Sequence, residues 1–133
     1  MTTVKTITGW IEEVAPLALQ EDYDNAGLLI GSPDMVVNGV LITVDVTEPV
    51  IEEAYNIGCN LIISHHPLIF RGVKRLTGQN ETQRCIIKAI KHNIAVYAAH
   101  TNMDNVLSGV NGKIAEKIGL KNMKILLPKK QTL

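Results

Sequence analysis

The chain has 133 residues, of which 46% are hydrophobic, and this length suits one domain with a single apolar core. Its 13 basic and 13 acidic residues cancel, which excludes a general electrostatic attraction to nucleic acid or to an anionic membrane. No signal-peptide pattern is visible and no apolar run approaches the roughly 20 residues that span a bilayer, so we expect a cytoplasmic protein.

A helix is predicted near the start of the chain, where apolar residues recur at helical spacing: Val4, Ile7, Trp10, Ile11 and Val14. Thr2 or Thr3 is its candidate cap, and Pro16 is expected to end or kink it. This helix is interpreted as a packing element. A brief apolar strand bracketed by glycines is then predicted at 27–31.

An acidic turn at 21–25 lies between that helix and that strand. Two of its residues, Asp24 and Asn25, admit two interpretations. Their side chains either line a functional site or form local hydrogen bonds with the backbone that hold the turn. The sequence does not separate these alternatives.

The middle of the chain alternates strands with helices. Apolar runs predict strands at 40–46, 59–63 and 94–99. One intervening helix is expected to begin after Thr47 and to end at Gly58, and the other to span about 81–91, capped by Asn80 with Gln83 reaching back to the cap. Such alternation requires parallel crossovers, so we predict an α/β fold with an open, mostly parallel sheet and helices on both faces.

Polar residues follow the three predicted strands at the points where they end. Asp45 closes the first, His65 and His66 follow the second, and His100 and Asp104 follow the third. Because the carboxyl ends of parallel strands share one edge of a sheet, we expect the three histidines and Asp104 to converge there. The fourth histidine, His92, falls on a helix end and is interpreted as a solvated or capping residue.

This edge is a candidate metal site, because neutral imidazole is a common ligand for transition metals. Side chains of adjacent residues diverge, so His65 and His66 suit two ions that share a cleft better than one ion. Pro67 gives the loop a rigid exit. Asp45 is either a carboxylate that orients a ligand or a partner of the backbone near Thr47, and both interpretations stay open.

Three basic residues follow the histidine pair closely: Arg71, Lys74 and Arg75. They either hold a substrate phosphate or form a solvated loop face. Cys59 and Cys85 lie in apolar segments far apart in the sequence, which favours buried free thiols over a disulfide or a CxxC metal site.

Four stretches together resemble the GTP cyclohydrolase type 2, or Nif-three-like, family of dinuclear-metal proteins: Asp24-Asn25-Ala26-Gly27-Leu28, Asp45-Val46-Thr47, Ser64-His65-His66-Pro67-Leu68-Ile69-Phe70 and His100-Thr101-Asn102-Met103-Asp104. The resemblance extends over essentially the whole chain. It implies a Rossmann-like sheet, part of a two-metal site, a homo-hexamer and an activity that includes a proposed opening of the guanine ring of GTP. By that resemblance His65, His66 and Asp104 match metal ligands, and His100 lies beside the site.

The sequence departs from that family after Asp104. Family members are longer, and a later His-x-x-x-Glu motif completes their site, whereas this chain has no histidine after His100 and only Glu116 as an acidic residue after Asp104. We therefore expect an amino-terminal fragment of a longer protein, with an incomplete metal site and little hydrolase activity. Residues 121–133 predict a strand-like run and a linker-like tail, whose apolar centre at 125–127 predicts self-association.

Two functions follow from these expectations. In the first, a metal-dependent hydrolase, two divalent ions activate a water that attacks a nucleotide or another phosphoester. In the second, a metal-binding or protein-interaction module holds the same ions without hydrolysis. Mixed nitrogen and oxygen ligands suit zinc, manganese or iron in either case. A small-molecule partner is expected for the first function, and a nucleic acid or membrane partner for neither.

Overall fold

A four-stranded sheet forms the centre of the structure, a computed structural model that describes residues 1–128. Its strands are β1 (Gly27–Ile30), β2 (Val40–Thr43), β3 (Leu61–Ser64) and β4 (Ala95–Ala98). They are arranged in the order β1-β4-β3-β2; the last three are parallel neighbours, whereas β1 pairs antiparallel with β4. The α/β class and the parallel central strands are confirmed, and the sheet as a whole is mixed.

Three of the helices begin at the predicted capping residues. The helical segments are α1 (Val4–Val14), a 3-10 turn (Leu17–Leu19), α2 (Glu48–Asn56), α3 (Glu81–Lys91), α4 (Thr101–Asp104) and α5 (Val110–Lys117). The side chains of Thr3, Thr47 and Asn80 each accept a hydrogen bond from the backbone amide three residues later, at the starts of α1, α2 and α3. Within the described residues, no helix is both long and apolar enough to cross a membrane.

Helices cover both faces of the sheet, as predicted. Alternate residues of β3 and β4 point to opposite faces, so Leu61 and Tyr97 pack with Val4 of α1, whereas Ile62 packs with Ile51 of α2 and Cys85 of α3. All six side chains are buried. The two apolar layers fix the sheet rigidly, and its carboxyl edge therefore gives a stable base for a site.

The strands are shorter than the apolar runs predict, and β2 shows the physical reason. It ends at Thr43 rather than at Val46, because the Thr43 hydroxyl donates a hydrogen bond of 2.9 Å to the Asp45 carbonyl and turns the chain out of the sheet. Asp45 consequently lies in the loop that leaves the carboxyl edge.

Other local predictions need correction. The Gln83 carboxamide oxygen accepts hydrogen bonds from the amides of Thr77 and Gln79 and does not reach the Asn80 amide. It therefore holds the preceding loop and does not form the predicted capping box. Cys85 is buried as predicted, but Cys59 is only half-buried. His92 caps the end of α3, which is one of its two predicted roles, and it stacks on Tyr55 with ring centroids 4.1 Å apart.

The end of the chain forms no strand in its described part. Residues 121–128 are exposed turns and irregular backbone, which contradicts the predicted strand-like run, and residues 129–133 lie outside the described residues. Among residues 1–128, the sheet contains no strand from this segment. Leu126 and Leu127 are 100% and 86% exposed, which agrees with the prediction that this apolar segment is uncovered.

A tightly packed turn holds α4, the one-turn helix that carries Asp104. Gly109 is buried in the loop that follows α4, and its φ of −83° suits any residue. However, a Cβ atom at this position would lie 1.9 Å from the Met103 carbonyl oxygen. The close approach of this glycine therefore fixes the position of α4.

Replacing Gly109 by alanine is expected to lower the free energy of unfolding by about 1–3 kcal/mol, because the backbone must move to accept the new methyl group. Urea denaturation measures the change. Gly72→Ala is the matched control, since nothing lies within 4 Å of a Cβ there. Equal stability of the two variants would show that the turn after α4 is not tightly packed.

Candidate metal centre

The loop after β3 presents His65 and His66 from a fixed backbone. The buried Ser64 hydroxyl donates a hydrogen bond of 2.8 Å to the His66 carbonyl. The amides of His65 and His66 donate to the carbonyls of Thr43 and Val44, at 3.1 and 2.9 Å. These bonds continue the contact with β2 beyond the end of the strand, so both imidazoles start from a rigid edge.

The His65 ring is oriented by a backbone carbonyl. Its Nδ1 lies 3.0 Å from the carbonyl oxygen of Ala99, just beyond the end of β4. Because a carbonyl oxygen only accepts, this Nδ1 carries the proton, and the lone pair is on Nε2. The Nε2 atom lies 3.8 Å from Asp104 Oδ1 and so faces the site.

The His66 ring is oriented by a carboxylate. Its Nδ1 lies 2.7 Å from Asp45 Oδ1, which makes Asp45 a side-chain partner of the histidine. The carboxylate therefore favours the same tautomer, with the proton on Nδ1 and the lone pair on Nε2. The Asp45 side chain thus contacts an imidazole, as the first of its two interpretations requires, and its role toward a metal ligand stays a prediction.

The His100 ring is held by the buried Asp24. Its Nδ1 lies 2.8 Å from Asp24 Oδ1, and the Asp24 side chain is fully buried. The other carboxylate oxygen accepts hydrogen bonds from the amide and the hydroxyl of Thr101. Burial opposes ionisation of Asp24, but the bonds from His100, Thr101 and the Asn25 amide outweigh it and hold the pKa of this carboxyl below its ordinary value.

The three imidazoles meet in one cluster with Asp104 beside it. Ring centroids are separated by 5.0 Å for His65 and His66, 5.2 Å for His65 and His100, and 5.6 Å for His66 and His100. One ring nitrogen of each lies within 4.8 Å of the others. Two nitrogens bound to one zinc ion at about 2.1 Å are separated by at most about 4.2 Å. Small ring rotations are therefore enough to bring the donors to one ion or to two adjacent ions.

The donor chemistry of this cluster fits a metal. Each imidazole gives its Nδ1–H to an oxygen and keeps Nε2 for another partner, and this is the usual orientation of metal-ligating histidines. The oxygen partners of the three rings come from different elements, namely the loop after β2, the end of β4 and the acidic turn before β1. The carboxyl edge thus supplies both the candidate ligands and the groups that orient them.

The tautomers give a prediction that needs no metal. In the metal-free chain at alkaline pH, His65, His66 and His100 are expected to carry the proton on Nδ1, because their oxygen partners only accept. Long-range proton–nitrogen NMR of the imidazoles distinguishes the two tautomers. Protonation of Nε2 in any of the three would contradict the orientation of that ring.

The three basic residues after the histidine pair do not join the cluster. Arg71, Lys74 and Arg75 are exposed on the loop between β3 and α3, where they line a separate cavity. That loop is tied to the acidic turn, since the Asn25 side chain donates a hydrogen bond of 2.5 Å to the Ile69 carbonyl. Asn25 therefore positions a loop beside the site.

Several residues beside the cluster were not singled out from the sequence. Thr101 accepts a hydrogen bond of 2.8 Å from the Glu21 amide and donates to Asp24, so it joins the acidic turn to α4. Phe70 stands with its ring centroid 6.5 Å from those of His100 and Tyr23. A single hydroxyl or aromatic side chain has no characteristic spacing that marks it in a sequence. Both Phe70 and Thr101 nevertheless lie within the motifs that carry the family resemblance.

Comparison with known proteins gives one family and several close relatives. The model of the Duf34/NIF3 (NGG1p interacting factor 3) family matches residues 2–133. A Clostridium acetobutylicum protein named GTP cyclohydrolase 1 type 2 homolog is 40% identical over 123 residues, or 92% of this chain and 46% of its own. A Staphylococcus aureus protein of the same name is 46% identical over 116 residues, which are 87% of this chain and 31% of its own.

A solved structure of a related protein shows the same similarity. A Bacillus cereus protein related to NIF3 superposes with a TM-score of 0.90 at 42% identity, over 97% of this chain and 36% of that one. The fold is thus that of solved relatives. The chain spans less than half the length of the curated relatives it matches.

Proposed function

The chain belongs to the Duf34/NIF3 family, and from this premise we propose that it is the divalent-metal-binding part of a hydrolase that acts on a nucleotide or another phosphoester. One observation carries the proposal. Three clustered imidazoles, each with Nδ1 bonded to an oxygen, keep their Nε2 atoms available for a metal.

We assign His65, His66 and Asp104 as ligands of two divalent ions. His100 is either a further ligand or the partner that orients one, and Asp45 orients His66. The mixture of imidazole nitrogen and carboxylate oxygen suits zinc, manganese or iron. Four side chains cannot fill the coordination of two ions that each take four or more donors, so the remaining positions go to water or to groups outside the described residues.

The proposed chemistry is hydrolysis. When bound at His65, His66 and Asp104, a divalent ion would lower the pKa of a coordinated water and polarise the bond to be cleaved. The residues of this chain hold the ions by His65, His66 and Asp104, and they fix the imidazole tautomers by Asp45, Asp24 and the Ala99 carbonyl. The name GTP cyclohydrolase 1 type 2 homolog, carried by relatives, supports a nucleotide as the first substrate to test.

A second candidate function is a metal-binding or interaction module without hydrolysis. Two observations favour it. Few protein donors lie on this edge in the described residues, and the chain spans less than half the length of the curated relatives it matches. The exposed apolar residues Ile125, Leu126 and Leu127 support the homo-oligomer that is part of either proposal, with a hexamer as its form by family resemblance.

The experiment compares this chain with the full-length Clostridium acetobutylicum relative. Zinc and manganese are titrated into both, and GTP and p-nitrophenyl phosphate turnover are followed on the same preparations. We expect the chain to bind metal more weakly than the relative and to show little turnover, because fewer protein ligands fix the ions.

Each outcome has a distinct meaning. Turnover by the relative alone supports a hydrolase whose site needs more than these residues. Metal binding by both without turnover favours the non-catalytic module. Equal affinity and equal rates would show that the donors described here form a complete site, and absence of metal binding in both would contradict the proposal.

A further inference from the structure

A cavity of about 560 Å³ lies beside the metal centre, between the loop that follows β3 and the start of α3. Its lining includes Leu68, Phe70 and the basic residues Arg71, Lys74 and Arg75 of the loop, together with polar residues at the start of α3 such as Asn80 and Thr82. The volume is within the range of about 300–1,000 Å³ that holds small-molecule ligands.

The charge of this cavity is unbalanced. Its lining contains three cations and no aspartate or glutamate. Within the described part of the chain, the structure gives Arg71, Lys74 and Arg75 no ion pair, whereas Arg84 and Lys88 on α3 both pair with Glu48. Because the whole chain has equal numbers of acidic and basic residues, this excess is a local feature and not general basicity.

We propose that this cavity binds the phosphate group of a ligand whose other end reaches the metal centre. The link to the metal centre rests on the proposed function. Guanidinium groups bind phosphate oxygens through paired hydrogen bonds, and a lysine adds a flexible positive charge. The first turn of α3 borders the same space with the positive end of an eleven-residue helix, whose effect on an anion is partly offset by Glu81 in that turn.

The cavity and the metal centre are connected by Phe70. This residue lines the cavity, and its ring centroid lies 6.5 Å from that of His100. The bond from Asn25 to the Ile69 carbonyl fixes the backbone at this point. A phosphate ester can therefore extend from the metal ions past the Phe70 ring, and an aromatic group next to the phosphate would contact that ring.

The test measures binding of inorganic phosphate, pyrophosphate and phenyl phosphate to the metal-free chain by calorimetry at low and high salt. The variant Arg71→Ala, Lys74→Ala, Arg75→Ala is compared with Lys113→Ala, Lys117→Ala, Lys121→Ala, which removes the same charge far from the cavity in sequence. We expect the first variant to weaken binding by about tenfold or more and the second by less than about twofold, because only the first removes charge-assisted hydrogen bonds.

Comparison of the three ligands distinguishes recognition of a phosphate ester from recognition of the phosphate group alone. Phenyl phosphate that binds more tightly than inorganic phosphate supports an ester whose ring contacts Phe70, and equal affinities support recognition of the phosphate group alone. Equal losses in the two triple variants, or no saturable binding, would overturn the inference. His65→Ala separates this result from the proposed function, since it should weaken metal binding strongly and leave binding of phosphate to the metal-free chain unchanged.

Discussion

Replacing His65 by alanine is expected to weaken zinc binding by more than the 10- to 100-fold that follows loss of a group that merely orients a ligand. The reason is geometric, because the His65 Nδ1 is bonded to the Ala99 carbonyl while its Nε2 lies 3.8 Å from Asp104 Oδ1. Its removal takes away a donor at the centre of the cluster. Isothermal titration with zinc measures the change.

His92→Ala is the matched control for this substitution. It also removes an imidazole, but that imidazole stacks on Tyr55 at the end of α3, before β4 and away from the carboxyl edge of the sheet. Zinc affinity should stay within about twofold of that of the unaltered chain, well below a tenfold change of 1.4 kcal/mol. Comparable losses in the two variants would indicate surface binding of zinc and would contradict the assigned site.

Replacing Asp24 by alanine is expected to lower the free energy of unfolding by about 2–4 kcal/mol, because buried donors lose the acceptor they share. The buried carboxylate accepts bonds from the His100 ring and from both the amide and the hydroxyl of Thr101. Metal affinity should also fall by about 10- to 100-fold, since the His100 ring is no longer held in one orientation. Denaturation and zinc titration measure the two effects.

The pH dependence of the Asp24 contribution has a definite sign. The pKa of this carboxyl is lowered from its ordinary value in the folded chain, because its hydrogen bonds outweigh the opposing effect of burial. The stability it contributes is therefore present above about pH 4 and is lost as the pH falls through the folded-state pKa. The difference between the chain and Asp24→Ala should shrink in that acidic range.

Asp22→Ala is the control, because Asp22 is an exposed carboxylate in the same acidic turn. Its replacement should change stability by less than about 0.5 kcal/mol, as for most surface positions. If Asp24→Ala were no more destabilising than this control, the bonds between the acidic turn and α4 would not hold the site together.

Local patterns were sufficient to predict that the three clustered histidines and Asp104 lie together, whereas the assignment of His65, His66 and Asp104 as metal ligands came from the family resemblance. His65 and His66 follow a continuous apolar run, and His100 and Asp104 follow another; parallel strands bring such positions to one edge. That edge is where the structure places them, with His65 and Asp104 in direct proximity. The carbonyl partner of His65 was not predictable, because every residue has a carbonyl and only the pairing register selects Ala99.

The partners of the other two rings depend on contacts between distant segments. Asp24 and His100 are separated by 76 residues, and nothing in the acidic turn itself specifies that contact. The antiparallel β1 likewise follows from non-local pairing with β4. The predicted end of β2 was wrong for a local reason. The hydrogen bond from the Thr43 hydroxyl ends the strand, although the apolar pattern continues to Val46.

The most direct test of the account is X-ray absorption at the zinc edge of the zinc-loaded chain. We predict nitrogen and oxygen neighbours at about 2.0–2.2 Å, outer scattering from at least two imidazoles, and no sulfur neighbour at about 2.3 Å. In the variant His65→Ala, His66→Ala, His100→Ala the imidazole scattering should disappear. Sulfur ligation, or a spectrum that this triple substitution leaves unchanged, would contradict a metal centre on the carboxyl edge.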